Sequence, residues 1–565
     1  MLKSQKRTVA TLDIGAFYAK ETVLYDSDGN AYHSQELREL VPYRCTFGYD
    51  VIVYVGYALF IHCHSEKQII ESQSRINVYI SQREIGFLGQ KFITYLAIAH
   101  HQSRHRLKAH MLSNGGYILH MDGTCEGDSP HLFTGMDGIA QIVLDNVKLP
   151  SEKAEMIIAF LRKIQKQYGD PVALVHDMGR GILSAVKAVF KDTPDYICHF
   201  HFLRDIGKDL MEPEYSKIRS RLKKHKIRSV LRRKAKALEK HMSQDEKTII
   251  QWLHEFENEL MISSIPKPLP VTAAYAMIHW VFETSGHSAG YGFPFDCPHW
   301  TFYKRLKVLH AFICKYGAMK DCRSKYNKSF FILLSHLARI VEDQQLIRAS
   351  SGMETKSEVF NKLRKALSIA EPEGKKGLND DGLEPDIKSI EDSVKDFRKK
   401  ITGDKNLYGQ DAYKGMIKQI DKYWEKLFAD PIIVNSEKGE ITLQPQRTNN
   451  ILERFFRDFK RGHRKKSGTI SLSKILKSML ADIPLVKNLE NLEYVRILLD
   501  GCSTLEERFS RIDNKLVLEK LKKERDKYGT MSPELKKIVR LSDLPSRLEA
   551  ILGDSKNNSN GYLLP

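Results

Sequence analysis

Apolar and polar positions change period along the chain, and each change marks an element. Within residues 171–202 a continuous apolar run, 172–175, ends at His176 and Asp177. A glycine-bounded turn follows at 179–181, and Ile182, Val186 and Val189 then recur at helical spacing. A second apolar-aromatic run ends in Cys198-His199-Phe200-His201. The pattern predicts strand, turn, helix and strand. Upstream, residues 116–124 form an apolar strand ending in Asp122-Gly123-Thr124. Residues 132–134 and 139–144 flank Asp137-Gly138, a hairpin signal. Residues 151–168 carry Ala154, Ile157, Ile158, Leu161 and Ile164 on one helical face. Residues 111–210 therefore read as three strands, helix, strand, helix and strand. Asp122 and Asp177 close two of those strands, and strand ends are where open α/β sheets place their sites.

The flanks follow other periods. Residues 1–64 read as β-rich, with 22–25 and 31–33 around a turn at 26–30, and 51–55 as a buried strand. Residues 65–110 read as helical, opened by capping boxes at Ser65-Gln68 and Ser81-Glu84. Ile69 and Ile70 follow the first; Ile85, Leu88, Phe92 and Leu96 follow the second, which is expected to run on through 100–110. The tight joint, with Gln82 and Arg83 opening the second helix, has the form of a helix-turn-helix. An ordinary helical hairpin has the same pattern. Residues 211–440 read as mostly helical. They carry a basic ribbon at 217–241, a structured Gly/Pro/aromatic loop at 285–300 and a flexible surface loop at 371–385. Trp280 and Trp300 suit packing, or stacking on an unpaired base. Within 441–468, Asn449-Asn450 opens a helix whose apolar side is Ile451, Leu452, Phe455, Phe456 and Phe459. Glu453, Arg457, Lys460, Arg461 and Arg464 fall largely on its other side. Residues 469–565 read as further helices with a polar tail at 553–561 and no assigned chemistry.

Composition narrows the partners. A chain of 565 residues exceeds one compact core, so two to four domains are expected. Its 89 basic and 70 acidic residues leave a net charge of +19, which points to a polyanion, nucleic acid first. The eight cysteines contain no CxxC pair, which suits free thiols in a reducing compartment. The first residues lack a signal-peptide core, and the longest apolar run, 51–61, is too short to span a bilayer. A soluble, intracellular protein is expected. Cys45, His62, Cys63 and His64 match no common zinc spacing and read as scattered core residues.

The predicted topology makes the strands of Asp122 and Asp177 neighbours. Two such carboxylates and a third acid form a hard-oxygen site suited to Mg²⁺ or Mn²⁺. Two ions ~4 Å apart can activate a water or 3′-hydroxyl and stabilise the leaving oxygen of a phosphodiester. Here the chain resembles DDE transposases, closest to those with a C(2)H motif after the second Asp: bacterial insertion-sequence enzymes and their Mutator-like relatives. The matching residues are Asp122 in HMDGT, Asp177 in ALVHDMGRG, Cys198 and His201 in CHFH, and Glu453 in TNNILERFFRDFKRGHRKKSG.

The resemblance implies an α/β RNase H-like catalytic core interrupted by a large all-α insertion, with an N-terminal β-rich region, a helix-turn-helix and a helical C-terminus. The parts would be a β-rich region, 1–64, a DNA-binding helix-turn-helix, 65–110, and the first part of the core, 111–210. A basic helical insertion, 211–440, the third-acid helix, 441–468, and the C-terminal helices, 469–565, would follow. It implies Asp122, Asp177 and Glu453 as catalytic residues and ligands of two Mg²⁺ (or Mn²⁺) ions. Cys198 and His201 would shape the wall beside the DNA, and Gln82, Arg83, Arg457, Lys460, Arg461 and Arg464 would contact it. The implied partners are double-stranded DNA, as transposon inverted repeats and as target, and further copies of the chain in a homodimer or higher oligomer. The implied setting is the bacterial cytoplasm and nucleoid. Rivals for the acids are Asp137 for the first, and Glu437 and Glu440 for the third; Asp177 could instead cap a helix. A domesticated, non-catalytic DNA-binding protein, or a nuclease of the same fold without strand transfer, is the alternative.

Overall fold

The computed structural model describes residues 2–240, 246–257, 271–283, 290–317, 328–371, 386–437, 439–528, 533–539 and 541–555. At its centre is a five-stranded mixed sheet in the order Val143–Leu149, His131–Asp137, Ile118–Thr124, Ala173–His176, Asp195–Ile197. The first three strands form an antiparallel meander, with Asp122 opposite Thr134 and Leu119 opposite Asp137. Ile118–Thr124 then pairs in parallel with Ala173–His176, and that strand in parallel with Asp195–Ile197. The element order is the one predicted. Helices Ala154–Tyr168 and Arg180–Val189 bury Ile157, Phe160, Leu161 and Ile164, and Ile182, Ala185 and Val186. A parallel crossover covers both faces of a sheet, so its strands read as continuous apolar runs. The hairpin turn is longer than predicted, since the strands stop at Asp137 and resume at Val143. Asp137 closes that turn by accepting from the amides of Ile118, Ile139 and Ala140.

One apolar core runs under the sheet, the segments before it, the helix after Asn449 and the C-terminal helices. This corrects two expectations. Residues 51–55 are not a strand but part of helix Tyr49–Phe60, so the N-terminal β-structure is confined to strands Leu2–Thr11, Gly15–Tyr25 and Ala31–Tyr32. The helix is buried on nearly every side, which removes the amphipathic period that separates helix from strand. A Cβ at Gly56 would collide with the Phe92 ring, so glycine there lets the helix lie against its neighbour. Secondly, the helix opened by Ser81 ends at Gln102, and a separate helix, Arg104–Ser113, follows. Both capping boxes form as predicted. Helix Gln82–Gln102 is the middle of the core: Tyr95 stacks on Phe509 at 5.2 Å, and His100 Nδ1 meets the Tyr494 hydroxyl at 3.0 Å. Its first turns and its last residue, Gln102, reach solvent, while 91–100 are buried. The Asn488 amide satisfies both backbone groups of Val143 on the edge strand.

A second core is built from helices including His199–Lys224, Ile227–Glu239, Pro298–Gly317, Gln344–Ala366, Ile387–Gly403 and Asp411–Lys422. The basic ribbon is partly folded inward. Arg221 and His225 converge on Asp343, and Arg228 lies over Phe302 at 4.1 Å. Lys217, Arg219, Lys223, Lys224 and Arg233 remain exposed. Trp300 is buried, with its indole N–H on Ser350 Oγ at 3.0 Å; Trp280 is half-exposed beneath Arg305. The aromatic loop is pinned by Phe295 stacked on Phe200 and Phe293 stacked on Tyr215. Residues 285–289 of that loop, 372–385 of the expected surface loop, His241 and 556–561 of the tail lie outside the described residues. No helix among the described residues is long and apolar enough to cross a membrane.

Candidate active site

Strand Ile118–Thr124 carries Asp122 near its carboxyl end, and Asp177 directly follows Ala173–His176. The two strands are parallel neighbours, so both carboxylates emerge at the same edge of the sheet. Asp122 accepts from the amide of Gly123 at 2.7 Å and Asp177 from that of Gly179 at 3.0 Å. Asp177 is not the residue that opens the next helix; Gly179 is.

Glu453 arrives from helix Asn450–Ser467, whose Leu452, Phe455 and Phe456 are buried against the sheet core. Asn449 docks that helix. Its side chain bypasses the usual capping bond. Instead Nδ2 donates to the Met121 carbonyl at 2.7 Å, and Oδ1 accepts from His120 Nδ1 at 2.9 Å. The residue before Asp122 and the residue four before Glu453 are thereby joined.

The electrostatics follow from this convergence. Burial pushes the Asp122 carboxyl well above the usual carboxylate range, and the charges of Asp177, Glu453 and Glu152 push it further. Asp177 is raised by burial and by Glu152, with His176 and Arg204 opposing. Glu453 is raised to about 7 by burial, against Arg204 and Arg457. Among the described residues neither aspartate forms an ion pair; the Glu453 carboxylate has only His201 Nε2, at 3.8 Å. Buried carboxylates short of a pairing cation are costly; Arg204, Arg457 and His176 offset part of that cost without forming an ion pair with either aspartate. Hard oxygen donors short of a cation fit a divalent ion.

The cluster has members that sequence reasoning missed. Glu152 precedes helix Ala154–Tyr168 and bonds His131 Nδ1 at 2.9 Å. A Cβ on Gly123 would lie 2.5 Å from its Oε1, so glycine beside Asp122 is what admits this carboxylate. Arg204 is the cation that Asp177, Glu453 and His201 all feel, and its Nε is buried without a partner. Arg204 follows His201 by three positions on one helix, a spacing that could have flagged it; nothing in the sequence ties Glu152 to the site.

The rivals fall elsewhere. Asp137 is at the opposite end of its strand pair and is spent on turn amides. Glu437 and Glu440 are exposed on the hairpin formed by Ile432–Ser436 and Gly439–Leu443. Cys198 and His201 are both buried beside Glu453, and the ligand atoms of these three lie within 4.8 Å of one another. The full Asp122–Asp177–Glu453 set spans more than that. Arg457, Lys460, Arg461 and Arg464 are exposed along the helix of Glu453, Arg461 within 3.9 Å of Asp458. Gln82 and Arg83 are exposed at their helix start, Gln82 bonded to Glu66 at 2.5 Å. Neither is among the principal groups acting on the carboxyls of Asp122, Asp177 or Glu453. No protein-family model matches the chain, and no curated protein matches it.

Proposed function

We propose that the chain is a transposase of the DDE type, which cleaves DNA at the ends of a mobile element and joins the freed 3′-hydroxyl to target DNA. The observation that carries the reading is the meeting of Asp122, Asp177 and Glu453. Asp122 is buried and Asp177 and Glu453 partly so; they come from three distant segments, their carboxyls are all raised, and among the described residues neither aspartate has an ion-pair partner. The strand order, an antiparallel meander followed by two parallel crossovers, supports an RNase H-like core. The helical insertion between the second and third acids supports the same reading.

Asp122, Asp177 and Glu453 would hold Mg²⁺ or Mn²⁺; bound there, such ions supply Lewis-acid activation of a water or 3′-hydroxyl. The chain's own residues do the rest. The cationic face of helix Asn450–Ser467 grips the DNA backbone beside the acids. Asn449 fixes the distance between the first and third acids. Asp122 and Asp177, anchored by the amides of Gly123 and Gly179, keep one orientation as substrate enters.

The test is a supercoiled donor plasmid incubated with the protein and Mg²⁺. Wild type should give cleaved and joined products. Asp122→Asn and Asp177→Asn should give neither, while gel-shift binding to the same DNA persists. Hydrolysis without joining would reduce the reading to a nuclease, and binding without chemistry to a DNA-binding protein. Near-wild-type cleavage by either variant would remove that residue from the site.

A further inference from the structure

Cys198 is the N-cap of helix His199–Lys224, and it is fully buried. It belongs to an apolar core, yet the Asn449 amide donates to its Sγ at 3.3 Å, and the amides of Phe200 and His201 act on it without making a capping bond. A helix N-terminus and converging amides stabilise negative charge on sulfur. One turn on, His201 is nine-tenths buried, yet neither ring nitrogen is satisfied. Nδ1 has no partner, and Nε2 stands 3.8 Å from Glu453 Oε1, too far for a hydrogen bond. A buried polar group left open in this way calls for an occupant.

We infer that Cys198, His201 and Glu453 form a binding site for a borderline-soft divalent cation of the Zn²⁺ class. Thiolate, imidazole and carboxylate are its preferred donors, and three protein ligands leave a fourth position open. The sequence supplies only a thiol and an imidazole in CHFH; the fold adds the third ligand. Burial holds the His201 imidazole neutral, with its value lowered to about 3, so its lone pair is available for the ion. Burial also pushes the Cys198 thiol up to about 12, so binding expels its proton to solvent and weakens as pH falls. A second cluster makes the contrast. His101, Asp145 and Asp482 are equally close, but Lys163 lies 2.5 Å from Asp145 and Lys520 2.7 Å from Asp482. That cluster brings its own cations; among the described residues the thiol cluster has no Lys or Arg within ion-pair distance, and Arg204, Lys208 and Arg457 act on it only from further off.

The site deepens the proposed function at one point, because Glu453 then belongs to two centres. An ion drawn to the thiol takes Glu453 from Asp122 and Asp177. The metal site itself does not rest on the cleavage reading.

The test uses the full chain, stripped with chelator and titrated with Co²⁺. A cobalt–thiolate bond absorbs in the near ultraviolet, whereas hard oxygen ligands give no such band. One equivalent of Co²⁺ should produce the band and Zn²⁺ should displace it. Cys198→Ser should abolish the band, and Glu453→Gln should keep it while weakening Co²⁺ by at least about tenfold. No band in wild type, or a band that survives Cys198→Ser, overturns the inference. Should Cys198→Ser fail to fold, an unchanged Co²⁺ affinity in Glu453→Gln overturns it equally. Loss of plasmid cleavage alone bears on the acid centre and leaves the cobalt result standing.

Discussion

Replacing Glu453 with glutamine should stabilise the metal-free protein, by an amount that grows with pH. Folding raises its carboxyl from an ordinary 4.5 to about 7, chiefly by burial, with Arg204 and Arg457 pulling the other way. A carboxyl raised on folding holds its proton more tightly in the native state. The contribution of this group is therefore most favourable at low pH and is lost as pH climbs from the unfolded value to the folded one. At about pH 8 both states are ionised, and the full shift costs ~3 kcal/mol. At about pH 5 the native carboxyl is still protonated and the cost is only ~1 kcal/mol. The side chain is 28% exposed, so solvent screening trims both figures. Glutamine keeps the shape and removes the charge, so it should recover that stability. The assay is denaturant unfolding in chelator at the two pH values. Mg²⁺ should then invert the order, stabilising wild type more than the variant. A surface glutamate paired with Arg457 would instead lose ~0.3–0.5 kcal/mol on substitution. A pH-independent change, or destabilisation near pH 8, would refute the reasoning.

Asn449→Ala removes two buried hydrogen bonds and leaves His120 Nδ1 and the Met121 carbonyl unsatisfied, so unfolding should show a loss of ~2–4 kcal/mol. A loss under ~0.5 kcal/mol would mean that the latch is not made in solution. Gln82→Ala combined with Arg83→Ala should weaken binding to element ends more than to random DNA, by ~1–3 kcal/mol if one bidentate base contact is lost. Equal losses on both DNAs would restrict this helix start to phosphate contact. Binding should weaken steeply with salt, log K falling by ~0.9 per phosphate neutralised for each unit of log salt; a flat response contradicts a role for the exposed cations after Glu453.

The sheet was legible because its strands are short, apolar and closed by turn residues, and its crossover helices are strongly amphipathic. Asp122 and Asp177 were legible for the same reason, since each follows an apolar run. Helix Tyr49–Phe60 was not, because burial on all sides erased its period. Residues 65–110 and 469–565 share the apolar core of the sheet. Tyr95, His100, Tyr494 and Phe509 put both segments into the core of the sheet, and no local pattern announces a contact across so much chain. Asn449 was read as a helix opener, the commonest use of asparagine there. Its turn toward Met121 and His120 depends on a strand far back in the chain. Glu152 was invisible because an acid before a helix is ordinary; only the approach to Gly123 makes it part of the site.

Nearly half of the chain intervenes between Asp177 and Glu453, yet their geometry does not depend on its length. The chain leaves the sheet at Cys198 and returns at Asn449, and the two stretches are sewn together where they pass. The His199 amide donates to the Arg447 carbonyl at 2.9 Å, and the Asn449 amide to Cys198 Sγ at 3.3 Å. His199 Nε2 meets the Leu427 carbonyl at 2.6 Å, and Arg447 donates to the Leu367 carbonyl at 2.8 Å. Between these stitches the helices form a core of their own, so the conformational entropy of ordering them is offset there. The entropy of closing a long excursion grows only with the logarithm of its length. Glu453 lies four residues beyond the last stitch, on a rigid helix, so the short crossing sets its position. The same crossing places Cys198 beside Glu453, so the thiol, the third acid and the exit of the insertion form one structural unit.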